Sequence, residues 1–182
     1  MTRSPLPWMR QPAPIPRPVQ QMYTGRSGNP IPVAEYVSNG GFEVDTTGWS
    51  AANGHAIAQS VAQAHTGTGS LLVTVANSNL TMVFENVTLT KAISHRYSCW
   101  LYIPAAYDGT QLQIQVGNFT AATGTIAVDA QMSKRDQWQY VTAAFVPAGA
   151  DFAGNVRFAG TGVAPTAGRT FYIDDVSLIE SG

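Results

Sequence analysis

Hydrophobic and polar positions alternate in short runs along most of the chain. In Leu112-Gln113-Ile114-Gln115-Val116 the apolar residues face one side and the glutamines the other, the period of a half-buried strand. From residue 33 onward, runs rich in β-branched and aromatic residues are separated by Gly, Asn, Asp and Pro. This pattern predicts strands near 33–38, 55–62, 70–76, 80–88, 95–103, 111–117, 124–129, 138–146, 154–159 and 170–179. No stretch keeps a convincing helical period, and no internal repeat is visible. So many antiparallel strands with turn signals between them fit two packed sheets. The expected fold is all-β, a two-sheet antiparallel β-sandwich of the jelly-roll kind over 33–182.

The pattern is different before residue 33. Residues 1–32 hold eight of the eleven prolines, a density that excludes helix and sheet interiors and predicts an extended arm. Arg3, Arg10, Arg17 and Arg26 make the arm basic, no acidic residue precedes Glu35, and Trp8 and Tyr23 are candidate anchors. Composition alone is that of a solvated tail; the basic, aromatic-bearing pattern also suits a docking strap. The expected assembly residues are Arg3, Trp8, Arg10, Arg17, Tyr23 and Arg26.

Composition narrows the function. The chain is 45% hydrophobic and 12% charged with a net charge of −1, so there is no global field to attract nucleic acid or anionic lipid. The opening MTRSPLPWMRQPAPIPRPV is broken by proline where a secretory signal needs an apolar run, and no later run is long enough to span a membrane. Cys99, the single cysteine, lies in the apolar run 97–103 and is expected to be a small buried hydrophobe. His55, His65 and His95 are far apart in sequence and are expected to be surface or strand residues. Asp129 and Asp136 lie in or beside a loop and define no catalytic pair. No nucleophile motif, zinc motif or phosphate loop occurs, and the chain is expected not to be an enzyme.

Three separated segments carry the most information. They are Asn39-Gly40-Gly41-Phe42-Glu43 with Gly48-Trp49, then His65-Thr66-Gly67-Thr68-Gly69-Ser70-Leu71, then Phe171-Tyr172-Ile173-Asp174-Asp175-Val176-Ser177-Leu178. In order and spacing they resemble the carbohydrate-binding modules of the family 4, 9 and 22 type, galactose-binding-like jelly rolls. Val116-Gly117-Asn118, Trp138-Gln139 and Val156-Arg157-Phe158 extend the resemblance over nearly all of 33–180. The resemblance implies one structural calcium ion held by the side chains of Glu43 and Asp174 and the backbone carbonyls of Gly41, Thr66 and Gly69. Calcium accepts about six to eight hard oxygen ligands in irregular geometry, so two carboxylates and several loop carbonyls suffice. Along the last run Tyr172, Asp174, Val176 and Leu178 share one face by alternation, which puts Asp174 on the core side, in need of a partner, and Asp175 outside.

Such modules bind glycans on aromatic rings, because the C–H face of a pyranose stacks on a flat ring. Where a related module places its platform tryptophan, this chain has Leu80; Phe119 falls near a second aromatic position and Arg157 at a polar one. The expected glycan contacts are Phe119, Arg157, Gln113, Gln115 and Tyr102. Trp49 and Trp138 match positions where the ring closes the core, and Trp100 lies among apolar neighbours, so all three are expected to be structural. A sugar-binding module with a docking arm and no export signal suits a tailed-bacteriophage virion protein, a minor tail or capsid decoration protein. On this view residues 1–32 bind other virion proteins, several copies sit in a symmetric assembly, and the sandwich faces cell-surface polysaccharide. The alternative is a free-standing, extracellular glycan-binding module of a glycan-degrading system.

Overall fold

The computed structural model describes residues 23–24, 30–31, 33–78, 80–90, 92–118, 123–147 and 151–181. The chain divides into two units, Met1–Pro32 and Val33–Gly182. In the first, β1 (Tyr23–Thr24) and β2 (Pro30–Ile31) pair antiparallel, Tyr23 opposite Ile31. Proline density predicted no ladder here, yet a proline is tolerated as the first residue of a strand, where Pro30 stands. Arg3, Trp8, Arg10, Arg17 and Arg26 lie outside the described residues.

The second unit is a sandwich of two five-stranded antiparallel sheets, and the described residues contain no helix. Its strands are β3 (Trp49–Ala51), β4 (Ala56–Ser60), β5 (Ser70–Thr74), β6 (Thr81–Leu89), β7 (His95–Tyr102), β8 (Gln113–Asn118), β9 (Thr123–Asp129), β10 (Trp138–Phe145), β11 (Phe152–Ala159) and β12 (Thr170–Glu180). The first sheet runs β10-β7-β12-β5-β4 and the second β3-β6-β11-β8-β9. Alternation fixes which way each strand faces: along β7 every second residue is buried, so Tyr97, Cys99 and Leu101 point inward. They meet Val156 and Phe158 of β11 and Ile114 and Val116 of β8 in one core with Phe171, Ile173 and Leu178 of β12. Trp49 is buried as expected, its ring 5.5 Å from Phe42 and 6.1 Å from Phe158.

Two predicted features differ. The run 33–38 forms no strand; it makes a single bridge, Glu35 opposite Ile179. The Glu35 carboxylate itself takes the Leu178 N–H at 2.7 Å and the Ser177 hydroxyl at 2.6 Å, so a side chain occupies a donor that a continuing ladder would use. In β12 the alternation breaks at a bulge between Asp174 and Ser177, with Asp175 at φ 47. Phe171 and Ile173 point inward before it, Val176 and Leu178 after it. Tyr172 therefore lies on the outer face, opposite to the side on which strict alternation put it together with Val176 and Leu178.

Candidate functional site

The three segments singled out in the sequence meet at one end of the sandwich. Val176 N–H donates to the Gly40 carbonyl at 2.9 Å, and a Cβ on Gly40 would lie 2.0 Å from the Val176 oxygen, so only glycine admits this approach. The loop 65–68 is then gripped by three acids. Glu43 Oε2 accepts from Thr68 N–H at 2.9 Å and Thr68 Oγ1 at 3.1 Å. Asp174 Oδ2 accepts from the N–H groups of His65 at 2.7 Å and Thr66 at 3.2 Å, and its Oδ1 from Asp175 N–H at 2.8 Å. Asp175 takes the His65 ring Nδ1 at 2.7 Å and Thr66 Oγ1 at 2.6 Å.

Asp174 is fully buried, and burial pushes its carboxyl up to about 6, against the lowering effect of the His65 N–H bond. Among the described residues no group of three His, Cys, Asp or Glu side chains is arranged to hold a metal ion, so a cation here would draw on two carboxylates and on carbonyls. Carboxylate and carbonyl oxygens are the donor types a hard cation takes, although Asp174 already accepts three backbone N–H bonds. Glu43 Oε1 accepts no hydrogen bond among the described residues, and a buried carboxylate is the group whose charge a nearby cation would stabilise. Of the five expected ligand positions, Glu43, Thr66, Gly69 and Asp174 converge on this loop; a Cβ on Gly69 would lie 2.4 Å from the Phe42 carbonyl oxygen and 3.1 Å from Glu43 Cα. At Gly41, the fifth position, a Cβ would meet nothing within 4 Å.

The outer face of the second sheet carries the second constellation. Lateral pairing sets Ser50, Phe84, Arg157, Gln115 and Ala127 in one row and Ala159, Gln113 and Asp129 in the next. Along these rows runs a chain of hydrogen bonds. Arg157 Nε donates to Gln115 Oε1 at 2.6 Å, Gln115 Nε2 to Gln113 Oε1 at 2.8 Å, and Gln113 Nε2 to Asp129 Oδ1 at 2.9 Å. Gln111 Nε2 reaches the same Asp129 oxygen at 2.7 Å, and the Thr161 hydroxyl donates to Gln111 Oε1. Burial lowers the Arg157 guanidinium from its usual value. Beside the chain, Asn155 Oδ1 is buried without a partner among the described residues. Leu80, Thr81, Asn53, Gly160 and Thr161 complete the rim of an open depression of roughly 360 Å³ over Gln115 and Arg157.

The structure thus joins three of the five expected glycan contacts, Gln113, Gln115 and Arg157, on one face. Gln111, Asp129, Thr161 and Phe84 escaped sequence reasoning, because strand pairing, not sequence spacing, makes them neighbours. Phe119 lies outside the described residues. Tyr102 does not belong with the glutamines: it lies on the outer face of the first sheet, since β7 turns its even-numbered residues outward. Trp100 and Trp138 are half-buried on that same face and do not close the core. His65 is not an isolated histidine either; it stacks on Trp100 at 3.8 Å and bonds Asp175. His55 and His95 are buried.

A sandwich with a polar hydrogen-bonded face and a carboxylate-gripped end loop is the framework of a binding module, and the comparisons agree. Residues 34–168 match the carbohydrate binding domain family, and the chain belongs to it. The fold is shared with the CBM22-1 xylan-binding domain of Paenibacillus barcinonensis Xyn10C, 15% identical over 83% of this chain and 96% of that one, TM-score 0.61. It is shared also with the C-terminal family 22 module of Clostridium thermocellum Xyn10B, at 16% identity, 81% and 94% coverage and TM-score 0.61. A third likeness is TmCBM61, solved in complex with β-1,4-galactotriose, at 14% identity, 81% and 99% coverage and TM-score 0.57. No curated protein matches the sequence. The family is one of non-catalytic domains, which places this chain among binding modules.

Proposed function

We propose that residues 33–182 bind a polysaccharide on the outer face of the second sheet. The observation that carries this is the continuous chain Arg157–Gln115–Gln113–Asp129–Gln111–Thr161, in which each amide is held by its neighbour and keeps further hydrogen-bonding capacity for sugar hydroxyls. Phe84, in the same row as Arg157, supplies an apolar ring, and Phe119 remains a candidate contact. At the end loop, a single calcium ion on Glu43, Asp174 and the carbonyls of Gly41, Thr66 and Gly69 would tie the three segments together.

Affinity electrophoresis in xylan and in β-1,4-galactan tests the site. Gln113→Ala and Arg157→Ala should each weaken retardation about tenfold, the worth of one charged or cooperative hydrogen bond. Unchanged retardation of both variants would refute the assignment.

A finer placement is part of the proposal. The module is displayed on a tailed-phage virion, in several copies, with residues 1–32 docked on other virion proteins. The support is the arm's composition, eight prolines and four arginines with no acid before Glu35. The xylan-binding neighbours favour the second reading, a module of a glycan-degrading system. Deleting residues 1–32 separates them: it should abolish incorporation into particles under the first reading and leave polysaccharide affinity unchanged under both.

A further inference from the structure

The aromatic side chains of this domain are unevenly distributed. Among the described residues Phe84 is the aromatic residue in the polar rows of the second sheet, whereas the outer face of the first sheet carries five. Trp138, Tyr102 and Tyr172 stand opposite one another on β10, β7 and β12, and Tyr140 stands opposite Trp100 in the next row. Ring centroids lie 5.6 Å apart from Trp138 to Tyr102, 5.9 Å from Tyr102 to Tyr172 and 5.2 Å from Trp100 to Tyr140. Trp138 and Tyr102 are inclined at 61°, Tyr102 and Tyr172 at 80°, so the row offers both ring faces and polar ring edges.

Three properties say what would sit there. Tyr140 is 51% exposed and the other four rings are half-buried, so the band is open to contact. Ser98, Thr142, Thr74 and Leu72 share the face, and among the described residues Arg96 lies beyond Ser98, outside the two aromatic rows. Finally, the hydroxyls of Tyr102, Tyr140 and Tyr172 and the indole N–H groups of Trp100 and Trp138 make no hydrogen bond among the described residues. A surface of flat apolar rings with unused polar tips matches a ligand that is itself apolar on its ring faces and hydroxylated at its edges.

We propose that this outer aromatic face is a second contact surface for a neutral polysaccharide, separate from the polar face of the opposite sheet. The inference rests on the reading of the domain as glycan-binding. It assigns stacking to Tyr102, Tyr140, Trp138 and Tyr172, and hydroxyl recognition to their polar tips. The His65 ring, held by Asp175, covers one face of Trp100 at 3.8 Å and stands edge-on to Trp138 at 5.7 Å, closing that end of the band.

The test uses the full chain with soluble xylan and β-1,4-galactan as probes, measured by affinity electrophoresis, tryptophan fluorescence and sedimentation. Tyr140→Ala and Tyr102→Ala should each weaken binding about fivefold to tenfold, with the thermal midpoint of Tyr140→Ala within about 2 °C of wild type because its side chain is exposed. Trp138→Phe should remove part of the ligand-induced change in emission. Aromatic variants that bind as wild type overturn the inference, and if Gln113→Ala still weakens binding the second-sheet site stands without it. A wild type that sediments as a dimer and becomes monomeric in Tyr140→Ala makes the face a contact between copies and also overturns it. Binding to neither probe removes both sites together.

Discussion

Replacing Gly67 by alanine probes whether the end loop is held as the structure shows. Gly67 has φ +61, a conformation that costs an alanine ~1 kcal/mol, and a Cβ there would lie 2.0 Å from Glu43 Oε1. Glu43 must then leave, and with it go its bonds to Thr68 N–H and Oγ1 at 2.9 and 3.1 Å. On an exposed side chain these are worth about 1 kcal/mol each. Gly67→Ala should therefore cost about 3 kcal/mol, and Glu43→Ala alone about 2. In the double variant the clash is gone and the lost bonds count once, so the total stays near 3 kcal/mol instead of the additive 5, a coupling of about 2.

Gly168 supplies the control. Its φ is +86 but a Cβ there would meet nothing within 4 Å, so Gly168→Ala should cost the strain alone, ~1 kcal/mol. For a chain of this size each kcal/mol moves the thermal midpoint by roughly 2–4 °C, which separates the two glycines in a circular-dichroism melt; chemical denaturation gives the free energies. Equal costs at Gly67 and Gly168, or additive Gly67 and Glu43 effects, would refute the loop geometry and remove the basis for a shared cation site.

Calcium should raise the thermal midpoint and EDTA lower it, since a ligand bound only by the folded chain stabilises by mass action, about 4 kcal/mol at a thousandfold excess over Kd; Asp174→Asn should abolish the difference. His55 is buried, with Nδ1 accepting the Ala76 N–H at 2.9 Å and its pKa lowered by burial. Its folded pKa lies below the unfolded one, so its contribution is full above the ordinary histidine range and lost as pH falls through it. The wild-type midpoint should consequently drop from pH 7 to 5 more steeply than that of His55→Asn, which keeps an acceptor for Ala76, and parallel profiles would contradict this. Cys99 is fully buried and its thiol is pushed up to about 12 by burial. A disulfide reagent at pH 8 should leave it unmodified in the native state and titrate one thiol per chain once guanidinium unfolds the protein.

Where one face of a strand is apolar and the other polar, the sequence is enough. Gln113 and Gln115 alternate with Leu112, Ile114 and Val116, and they lie together on the side away from the core as read, Gln113 half-buried and Gln115 buried. The run Tyr97-Ser98-Cys99-Trp100-Leu101-Tyr102-Ile103 is apolar on both sides, so periodicity cannot say which set points inward. The core takes Tyr97, Cys99 and Leu101 and leaves Trp100 and Tyr102 outside. Asp129 is invisible for another reason. It becomes part of the polar chain because β9 pairs with β8 in a register that sets it opposite Gln113, and no local signal in a single sequence encodes a register.

The bulge in β12 joins these cases and explains why the end loop was legible as a constellation but not in its orientation. An extra residue at Asp174–Asp175, with Asp175 at φ 47, lets two consecutive acids serve the same loop from two directions. Asp174 is buried beneath the N–H groups of His65 and Thr66, and Asp175 holds the His65 ring and the Thr66 hydroxyl. A regular strand would send successive side chains to opposite faces and forbid this. His65 is thereby held by its backbone at the carboxylate cluster and by its ring on Trp100, so the carboxylate-held loop and the aromatic face share one residue. Ordering the loop orders Trp100. A cation on Glu43 and Asp174 would for that reason act on the geometry of the aromatic band as well as on stability.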